Sequence, residues 1–368
     1  MKKILTYFIG FIFICFILPA ICTKTLNVDS SNTIAKENIG QSTEGTGQSG
    51  EDSEQNGESI EQKQESENNN EQSQGETSSI ATYDYREYNT IKLLHTASGE
   101  IEELLLDEYL CGVVSAEMPA SYELEALKAQ AVVARTYTIF QIINNSDKHE
   151  NANICDSYSC CQAWISKEER FSKWEENERE ANWKKIVQAV NETAGKIITY
   201  EGQPINAFFH SNSGGVTESS VSVWGGVEYP YLKSVETSGE EGYSQYSSEV
   251  SLTKEELINK IKGTHPDIEI NWDEENTIQI LEYTESGRVR TIKFGNISIA
   301  GTEARTILGL KSTNFVISYQ DDKIIFSVTG YGHGVGMSQT GADSLAKQGS
   351  GYEDIIKHFY IGVEIINI

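Results

Sequence analysis

One glutamate stands out as a group that could do acid chemistry. Glu117 lies in the mostly apolar run from Val113 to Met118, and Pro119 follows directly. Because a proline disfavours helical geometry in the residue before it, a helix must end here. A carboxyl group in apolar surroundings keeps its proton to higher pH, which suits a general acid. The alternative is an exposed glutamate at a helix end, because structural carboxylates greatly outnumber catalytic ones.

A second set of residues has the chemistry of a metal site. His149, Cys155, Cys160 and Cys161 follow one another in the pattern His-x5-Cys-x4-Cys-Cys. Four such ligands predict a tetrahedral zinc site, and it would be structural because no coordination position stays open. A local disulfide is the alternative, which an exported protein permits, although three cysteines would leave one unpaired.

Two glycine-rich segments could press their backbone against a ligand. The first is His210–Gly215, and the second is Gly330–Gln339, in which His333 stands among four glycines. Glycine allows close approach, and hydroxyl and amide groups can donate to a ligand. The second segment is not a phosphate loop, because it lacks the Gly-Lys-Ser/Thr ending. A tight polar turn and a structural histidine are the respective alternatives.

Aromatic residues beside glycines form a further pattern. Trp224 precedes two glycines, and Tyr229–Lys233 follows shortly after. Such aromatics suit stacking on sugar rings, but they are also common in ordinary loops.

The helices that would position these groups follow from apolar spacing. One helix ends at Glu117 and has Asp107 as its predicted N-cap. The next is predicted to be capped by Ser121 and to run to about Ile143. Residues 164–190 predict a third, charged helix.

The remaining segments alternate like short strands between glycine turns. The mixture predicts an α+β fold, with helices and small antiparallel sheets in one large domain over residues 83–368 that has a central groove. Residues 250–310 could form a sub-lobe of it.

The N-terminal region predicts export. Two lysines precede Ile4–Cys22, an apolar run that can span a bilayer, so residues 1–3 would be a cytoplasmic stub and the remainder would lie outside the cell membrane. A cleaved signal segment and a lipoprotein cysteine at Cys22 are alternatives, and all three export the chain. Residues 23–82 are acidic and almost free of large apolar side chains, which predicts a disordered linker.

The charge of the chain excludes one class of partner. Its net charge is −26. Nucleic acid binding requires Lys and Arg to replace condensed counterions, so we expect no nucleic acid partner.

Three motifs in this order resemble the stage II sporulation protein D family. They are SAEMPASYELEALKAQAVVAR at 115–135, HSNSGG at 210–215 and GHGVGMSQ at 332–339. The resemblance extends from about Leu93 to the end of the chain and includes a single N-terminal membrane anchor. It implies a lytic transglycosylase of peptidoglycan, and a related branch of the family consists of amidase enhancers.

The resemblance also implies roles for individual residues. Glu117 would be the catalytic acid that cleaves the bond between N-acetylmuramic acid and N-acetylglucosamine, leaving 1,6-anhydro ends during engulfment in sporulation. The implied substrate-binding residues are Arg135, His210, Ser211, Asn212, Ser213, Tyr231, Lys233, His333 and Gln339. Arg135 could instead be a buried structural partner.

Metal and partners are implied in the same way. Family members from clostridia carry zinc on the loop after the long helix, and here Cys160 stands where a histidine is expected. No cofactor is needed for the cleavage itself. The expected partners are peptidoglycan glycan strands, a sporulation amidase and a polytopic membrane protein. The rival function is a non-catalytic peptidoglycan-binding module that enhances an amidase.

Overall fold

The computed structural model describes residues 88–145, 148–226 and 228–368. The predicted anchor at 4–22 and the predicted linker at 23–82 lie outside these residues. Within the described ranges, no helix is both long and apolar enough to cross a membrane.

Helices are distributed over the whole of the described chain. They are α1 Leu106–Glu117, α2 Leu124–Asn144, α3 Lys167–Lys173, α4 Arg179–Glu192, α5 Ser220–Trp224, α6 Lys254–Lys262, α7 Gly301–Leu308, α8 Gln339–Lys347 and α9 Tyr352–Phe359. The longest is α2, with 21 residues.

The strands are short. They are β1 Thr90–Leu94, β2 Ile101–Leu105, β3 Ile154–Cys155, β4 Lys196–Tyr200, β5 Gln203–Pro204, β6 Phe209–His210, β7 Ser247–Thr253, β8 Ile278–Tyr283, β9 Val289–Phe294, β10 Ile297–Ala300, β11 Phe315–Gln320, β12 Lys323–Thr329, β13 Met337–Ser338 and β14 Glu364–Asn367. They form small sheets in the orders β2-β1-β3, β10-β9-β8, β11-β12-β7, β13-β6 and β14-β4-β5.

The predicted α+β class is confirmed by these elements. The sequence predicts antiparallel sheets throughout. Two strand pairs depart from this prediction, because β1 with β3 and β6 with β13 are parallel. The β6–β13 pair matters most here, because it joins the two glycine-rich segments.

Helix α2 lies at the centre of the larger apolar core. All its alanines are fully buried, and it packs against α1, α4, α8 and α9. Small side chains allow such close helix approach. The prediction of Ser121 as N-cap is wrong: Glu123 occupies that position, and its N–H donates to the Asp343 carboxylate at 2.6 Å. A contact from a distant helix thus takes the place of a local cap.

Helix α1 ends at the predicted break. Met118 is extended, with φ −124° and ψ 143°, and its N–H donates back to Val114 O at 3.0 Å. Pro119 follows and prevents continuation. Glu117 is therefore the last helical residue, with its side chain at the edge of the core.

Residues 164–190 form two helices and not the single one that the sequence predicts. Helix α3 ends before Trp174, which is extended, and α4 begins at Arg179. The acidic residues between α3 and α4 are more favourable before the N-terminus of α4 than at the C-terminus of α3. The reason is that the helix dipole is positive at the N-terminus.

A second apolar cluster forms apart from the first. It involves β7 to β12 together with α6 and α7, and its buried residues run from Leu252 to Val328. This cluster extends beyond the predicted sub-lobe limits of 250–310. The sub-lobe over residues 250–310 stays a prediction.

Candidate active site around Glu117

The Glu117 side chain is held by donors from two distant parts of the chain. The amide N–H of Ala163 donates to one carboxylate oxygen at 2.8 Å, and Gln339 Nε2 donates to the other at 3.1 Å. The residue is half-buried. Both oxygens are thus fixed in direction while part of the group stays accessible.

The electrostatics of Glu117 suit an acid that is protonated before it reacts. Burial raises its pKa, and the hydrogen bonds from Ala163 and Gln339 lower it by less. Desolvation therefore holds the proton on the group to higher pH than usual, and the two donors stabilise the carboxylate once the proton has left. This combination allows a single group to act first as an acid and then as a base.

The loop that carries Ala163 is anchored on both sides of that residue. Gln162 Nε2 donates to Tyr109 Oη at 2.8 Å and to Thr138 Oγ1 at 2.9 Å. Trp164 lies so close to Gly112 of α1 that a Cβ there would be 2.2 Å from the indole nitrogen. The loop therefore depends on a glycine in α1. Sequence reasoning missed Ala163, because a backbone donor leaves no signal in residue type.

Gln339 reaches Glu117 from the first turn of α8. Ser338 is the N-cap of this helix and accepts a hydrogen bond from Gly341 N. Gln339 is buried, and its Nε2 also lies 3.5 Å from Gln130 Oε1. The sequence predicts Gln339 as a substrate-binding residue. In the structure its side chain donates directly to Glu117, the candidate catalytic acid.

The two glycine-rich segments lie side by side. Strands β6 and β13 pair in parallel, and Asn212 exchanges backbone hydrogen bonds with Tyr331. Glycine is required at Gly336, where φ is +71° and a Cβ would stand 1.9 Å from Phe208 O. Close approach to the backbone just before the first segment, and not only contact with a ligand, explains this glycine.

A buried carboxylate that the sequence analysis missed joins both segments. Glu240 is fully buried and accepts hydrogen bonds from Ser213 N and Oγ, Gly215 N, Ser338 Oγ and Thr340 Oγ1. Two of these donors, Ser338 and Thr340, flank Gln339. Glu240 thus fixes the segment from which Gln339 reaches Glu117.

Most polar side chains of the first segment are engaged within the protein. Asn212 Nδ2 donates to Thr340 Oγ1 at 2.9 Å, and Ser213 Oγ contacts Glu240 and Thr237. Both residues are buried, whereas Ser211 is half-buried. The structure therefore uses Asn212 and Ser213 to join the segments, and their predicted contact with substrate stays a prediction.

The two histidines face each other, with ring centroids 5.6 Å apart. Burial lowers the pKa of His210 and of His333 to about 3 in each case. His210 Nδ1 contacts Val335 O at 3.1 Å, and His333 Nδ1 accepts from Val335 N at 3.0 Å. Both rings are neutral near pH 7, so neither supplies a positive charge to a ligand.

Arg135 lies away from Glu117. Its guanidinium donates to Thr193 O at 2.8 Å and to the Asp107 carboxylate at 3.0 Å, and it is 1% exposed. Asp107 is in the first turn of α1, ten residues and roughly 15 Å of helix from Glu117. The N-cap predicted at Asp107 is wrong, since Leu105 holds that position. These contacts match the alternative role for Arg135, that of a buried structural partner.

Tyr231 and Lys233 differ in their surroundings. Tyr231 is buried, its hydroxyl accepts from Asn206 N at 2.9 Å, and its ring packs near Tyr200 and Tyr229. Lys233 is exposed. Of the two, only Lys233 presents its side chain to solvent and to a large ligand.

The predicted metal ligands come together. The ligand atoms of His149, Cys155, Cys160 and Cys161 all lie within 4.8 Å of one another, and this group could hold a metal ion. The thiols are free, and His149 Nε2 is 3.2 Å from Cys161 Sγ. Tetrahedral zinc with thiolate ligands requires ligand atoms roughly 3.8 Å apart, so the residues present fit the ion.

The three thiols of this cluster differ in acidity: the hydrogen bond with Cys161 raises the pKa of Cys155, and burial raises the pKa of Cys160. A hydrogen bond from the Cys155 thiol, with further help from His149 and Lys148, lowers the pKa of Cys161 to about 4. Metal ligation needs the thiolate form. Cys161 is also only two residues from Ala163, the backbone donor to Glu117.

Fold and site together define an α+β protein with one half-buried carboxyl group, fixed at a helix end between a cysteine-rich loop and a glycine-rich loop. The chain belongs to the stage II sporulation protein D family. The family's sequence profile, described as Stage II sporulation protein, matches residues 95–200. Stage II sporulation protein D of Bacillus subtilis (strain 168) is 36% identical over 278 residues, which is 75% of this chain and 78% of the relative.

Other relatives agree with this assignment and widen it. Stage II sporulation protein D of Bacillus amyloliquefaciens is 34% identical over 278 residues, covering 75% of this chain and 78% of the relative. A protein named amidase enhancer from Bacillus subtilis (strain 168) is 29% identical over 307 residues, covering 70% of this chain and 40% of that protein.

Proposed function

We propose that the chain is a peptidoglycan lytic transglycosylase and that Glu117 is its catalytic acid. The observation that carries the proposal is a carboxyl group whose pKa is raised by burial and whose two oxygens are each aligned by one donor. Three further buried carboxylates among the described residues, Glu218, Glu240 and Asp343, accept hydrogen bonds from the protein itself. Chemistry that needs only one carboxyl group therefore fits best.

The proposed reaction has two proton transfers and consumes no water. Protonated Glu117 donates to the glycosidic oxygen between N-acetylmuramic acid and N-acetylglucosamine, and the bond to the muramic acid C1 breaks. The Glu117 carboxylate then takes the proton from the C6 hydroxyl of the same sugar, whose oxygen bonds to C1 and closes the 1,6-anhydro ring. Ala163 N–H and the Gln339 amide stabilise the carboxylate between these steps.

The proposal includes a cellular setting taken from the family. Residues 4–22 would anchor the chain in the cell membrane, and residues 23–82 would give the extracytoplasmic domain its reach to glycan strands during engulfment. A sporulation amidase and a polytopic membrane protein are the proposed partners. Lys233 and Ser211 would contact the glycan, since both are accessible.

Zinc is part of the same proposal. His149, Cys155, Cys160 and Cys161 would hold it as four protein ligands, which leaves the ion a structural role. The ion would fix the loop that continues through Gln162 to Ala163.

The test is the product formed from peptide-free glycan strands. The purified full chain in detergent should generate 1,6-anhydro-muramic ends, which mass spectrometry distinguishes from hydrolytic ends by the absence of one water. Glu117→Gln should abolish them. The matched control is Glu108→Gln, which changes an exposed glutamate of the same helix. If wild type and Glu117→Gln yield the same products, the enzyme assignment is wrong.

A second candidate function is enhancement of an amidase through glycan binding. It is favoured by the relative that is named amidase enhancer. In that case Glu117→Gln would bind glycan and stimulate a purified amidase as well as the wild type does, and neither would produce anhydro ends.

A further inference from the structure

A series of aromatic rings leads outward from the neighbourhood of Glu117. Tyr137 is a buried residue of helix α2. The Tyr137 ring is 6.1 Å from that of Phe208, which is 4.7 Å from that of Trp224. The backbone of Phe208 also accepts from Met337 N, two residues before Gln339. The series therefore adjoins strand β13, which leads directly to Gln339, the donor to Glu117.

Exposure increases along the series. Tyr137 is 5% exposed, Phe208 is half-buried and Trp224 is 50% exposed. His333 packs against Trp224 at 5.2 Å and Phe208 at 6.1 Å. Its imidazole is neutral, as described above, so it adds an aromatic surface and no charge. The rings of Phe208, His333 and Trp224 thus pack against one another, and Trp224, the outermost, is half exposed to solvent.

Two glycines follow Trp224. Gly225 and Gly226 have positive φ, and a Cβ added to either would meet no atom within 4 Å. Helix α5 itself starts at a serine cap, where Ser219 Oγ accepts from Ser222 N. The tryptophan is therefore held by a capped turn and by two aromatic neighbours, and half of its surface is exposed.

We propose that Trp224, supported by Phe208 and His333, forms a stacking subsite for a pyranose ring of the glycan strand. This inference rests on the proposed function and adds a specificity-determining residue to it. The apolar C–H face of a pyranose packs on a flat aromatic surface, and tryptophan provides the largest such surface at little entropic cost. The ligand class is a neutral or weakly anionic sugar, which suits a platform without charge.

The experiment measures glycan binding in the absence of cleavage. The full chain carrying Glu117→Gln is titrated with a peptide-free tetrasaccharide of alternating N-acetylglucosamine and N-acetylmuramic acid, by calorimetry. Adding Trp224→Ala should raise Kd about tenfold, whereas Trp224→Phe should raise it by less than about threefold. The matched control is Trp272→Ala, a partly buried tryptophan of the second apolar cluster, which should leave Kd unchanged.

Stability decides how a loss of binding is interpreted. Trp224→Leu keeps apolar contact with Phe208 but removes the flat surface, and thermal unfolding is recorded for each variant. If Trp224→Leu unfolds like its parent and binds about tenfold more weakly, the subsite is supported. If it binds like its parent, the subsite is wrong.

Failure of the subsite differs from failure of the proposed function. Unchanged binding by Trp224→Ala, while the wild type produces anhydro ends, overturns only the subsite. A Glu117→Gln parent that binds no tetrasaccharide, together with a wild type that cleaves no glycan, overturns the proposed function and the subsite with it.

Discussion

Gln339 Nε2 donates to the Glu117 carboxylate at 3.1 Å although 222 positions separate the two residues. This contact brings the GHGVGMSQ segment to the end of α1. Because the donor lowers the pKa of Glu117 and burial raises it, the proton affinity of the acid depends on how both segments pack.

Glu117→Gln should make the protein more stable at high pH. The folded state raises the pKa of Glu117 above its ordinary value of 4.5, so its contribution to the free energy of unfolding is fully present below pH 4.5 and falls as the pH rises through the raised value. In urea unfolding from pH 4 to 8, the free energy of unfolding of the variant should rise relative to that of wild type, with a slope of at most about 1.4 kcal/mol per pH unit. Equal pH dependence in both proteins would contradict the raised pKa.

Gln339→Leu should raise the pKa of Glu117 further. The substitution removes one donor to the carboxylate and leaves burial in place, so the protonated form is favoured. Nuclear magnetic resonance of ¹³C-labelled glutamate would measure the shift, and the alkaline limb of the cleavage rate should move to higher pH. Gln348→Leu, an exposed position beyond the same helix, serves as the control. An unchanged or lower pKa for Glu117 would rule out this contact.

Arg135→Leu should destabilise the fold without altering the titration of Glu117. It removes a buried cation from Thr193 O and from Asp107, and loss of a buried charged partner costs about 3 kcal/mol in the free energy of unfolding. Asp107→Asn should also destabilise the fold, by about 3 kcal/mol, because it leaves the guanidinium of Arg135, which is 1% exposed, without the carboxylate that pairs with it. A stable Arg135→Leu protein that no longer binds glycan would instead place Arg135 in the binding site.

The purified protein should contain about one zinc per chain, and removal of the metal should loosen the loop at Ala163. Cys160→Ser should lose most of the metal, whereas Cys111→Ser should retain it, because Cys111 is buried in α1 outside the cluster. Metal analysis and hydrogen exchange of the Ala163 amide are the measurements. A disulfide mapped between Cys155 and either Cys160 or Cys161 would disprove the zinc site.

Glu240→Ala should strongly destabilise the glycine-rich segments. It leaves buried donors on Ser213, Ser338 and Thr340 without their acceptor, and each unsatisfied buried group costs about 1–3 kcal/mol. Denaturant unfolding should show that the free energy of unfolding falls by at least about 3 kcal/mol. Glu241→Ala, at the exposed neighbouring position, should change little. Similar stability of the two variants would mean that Glu240 does not hold the segments together.

Residue type and spacing predicted the features that depend on local chemistry. Pro119 ended α1 at Glu117 because its ring restricts the preceding residue, and the short spacing of His149 to Cys161 predicted the four ligands that the structure brings together. The α+β class followed from alternating helical and strand periodicities. These features need few contacts from distant parts of the chain.

Tertiary packing decided the rest. Ala163 donates through its backbone, Gln339 arrives from 222 positions away, and Glu240 became important only because two segments fold against it. Arg135 ends the same motif that begins near Glu117, yet α2 carries it to Asp107, which lies at the other end of α1 from Glu117. Sequence therefore determined which groups can do chemistry, and the packing of distant segments determined which of them meet, because burial and hydrogen bonding are set by neighbours that spacing does not reveal.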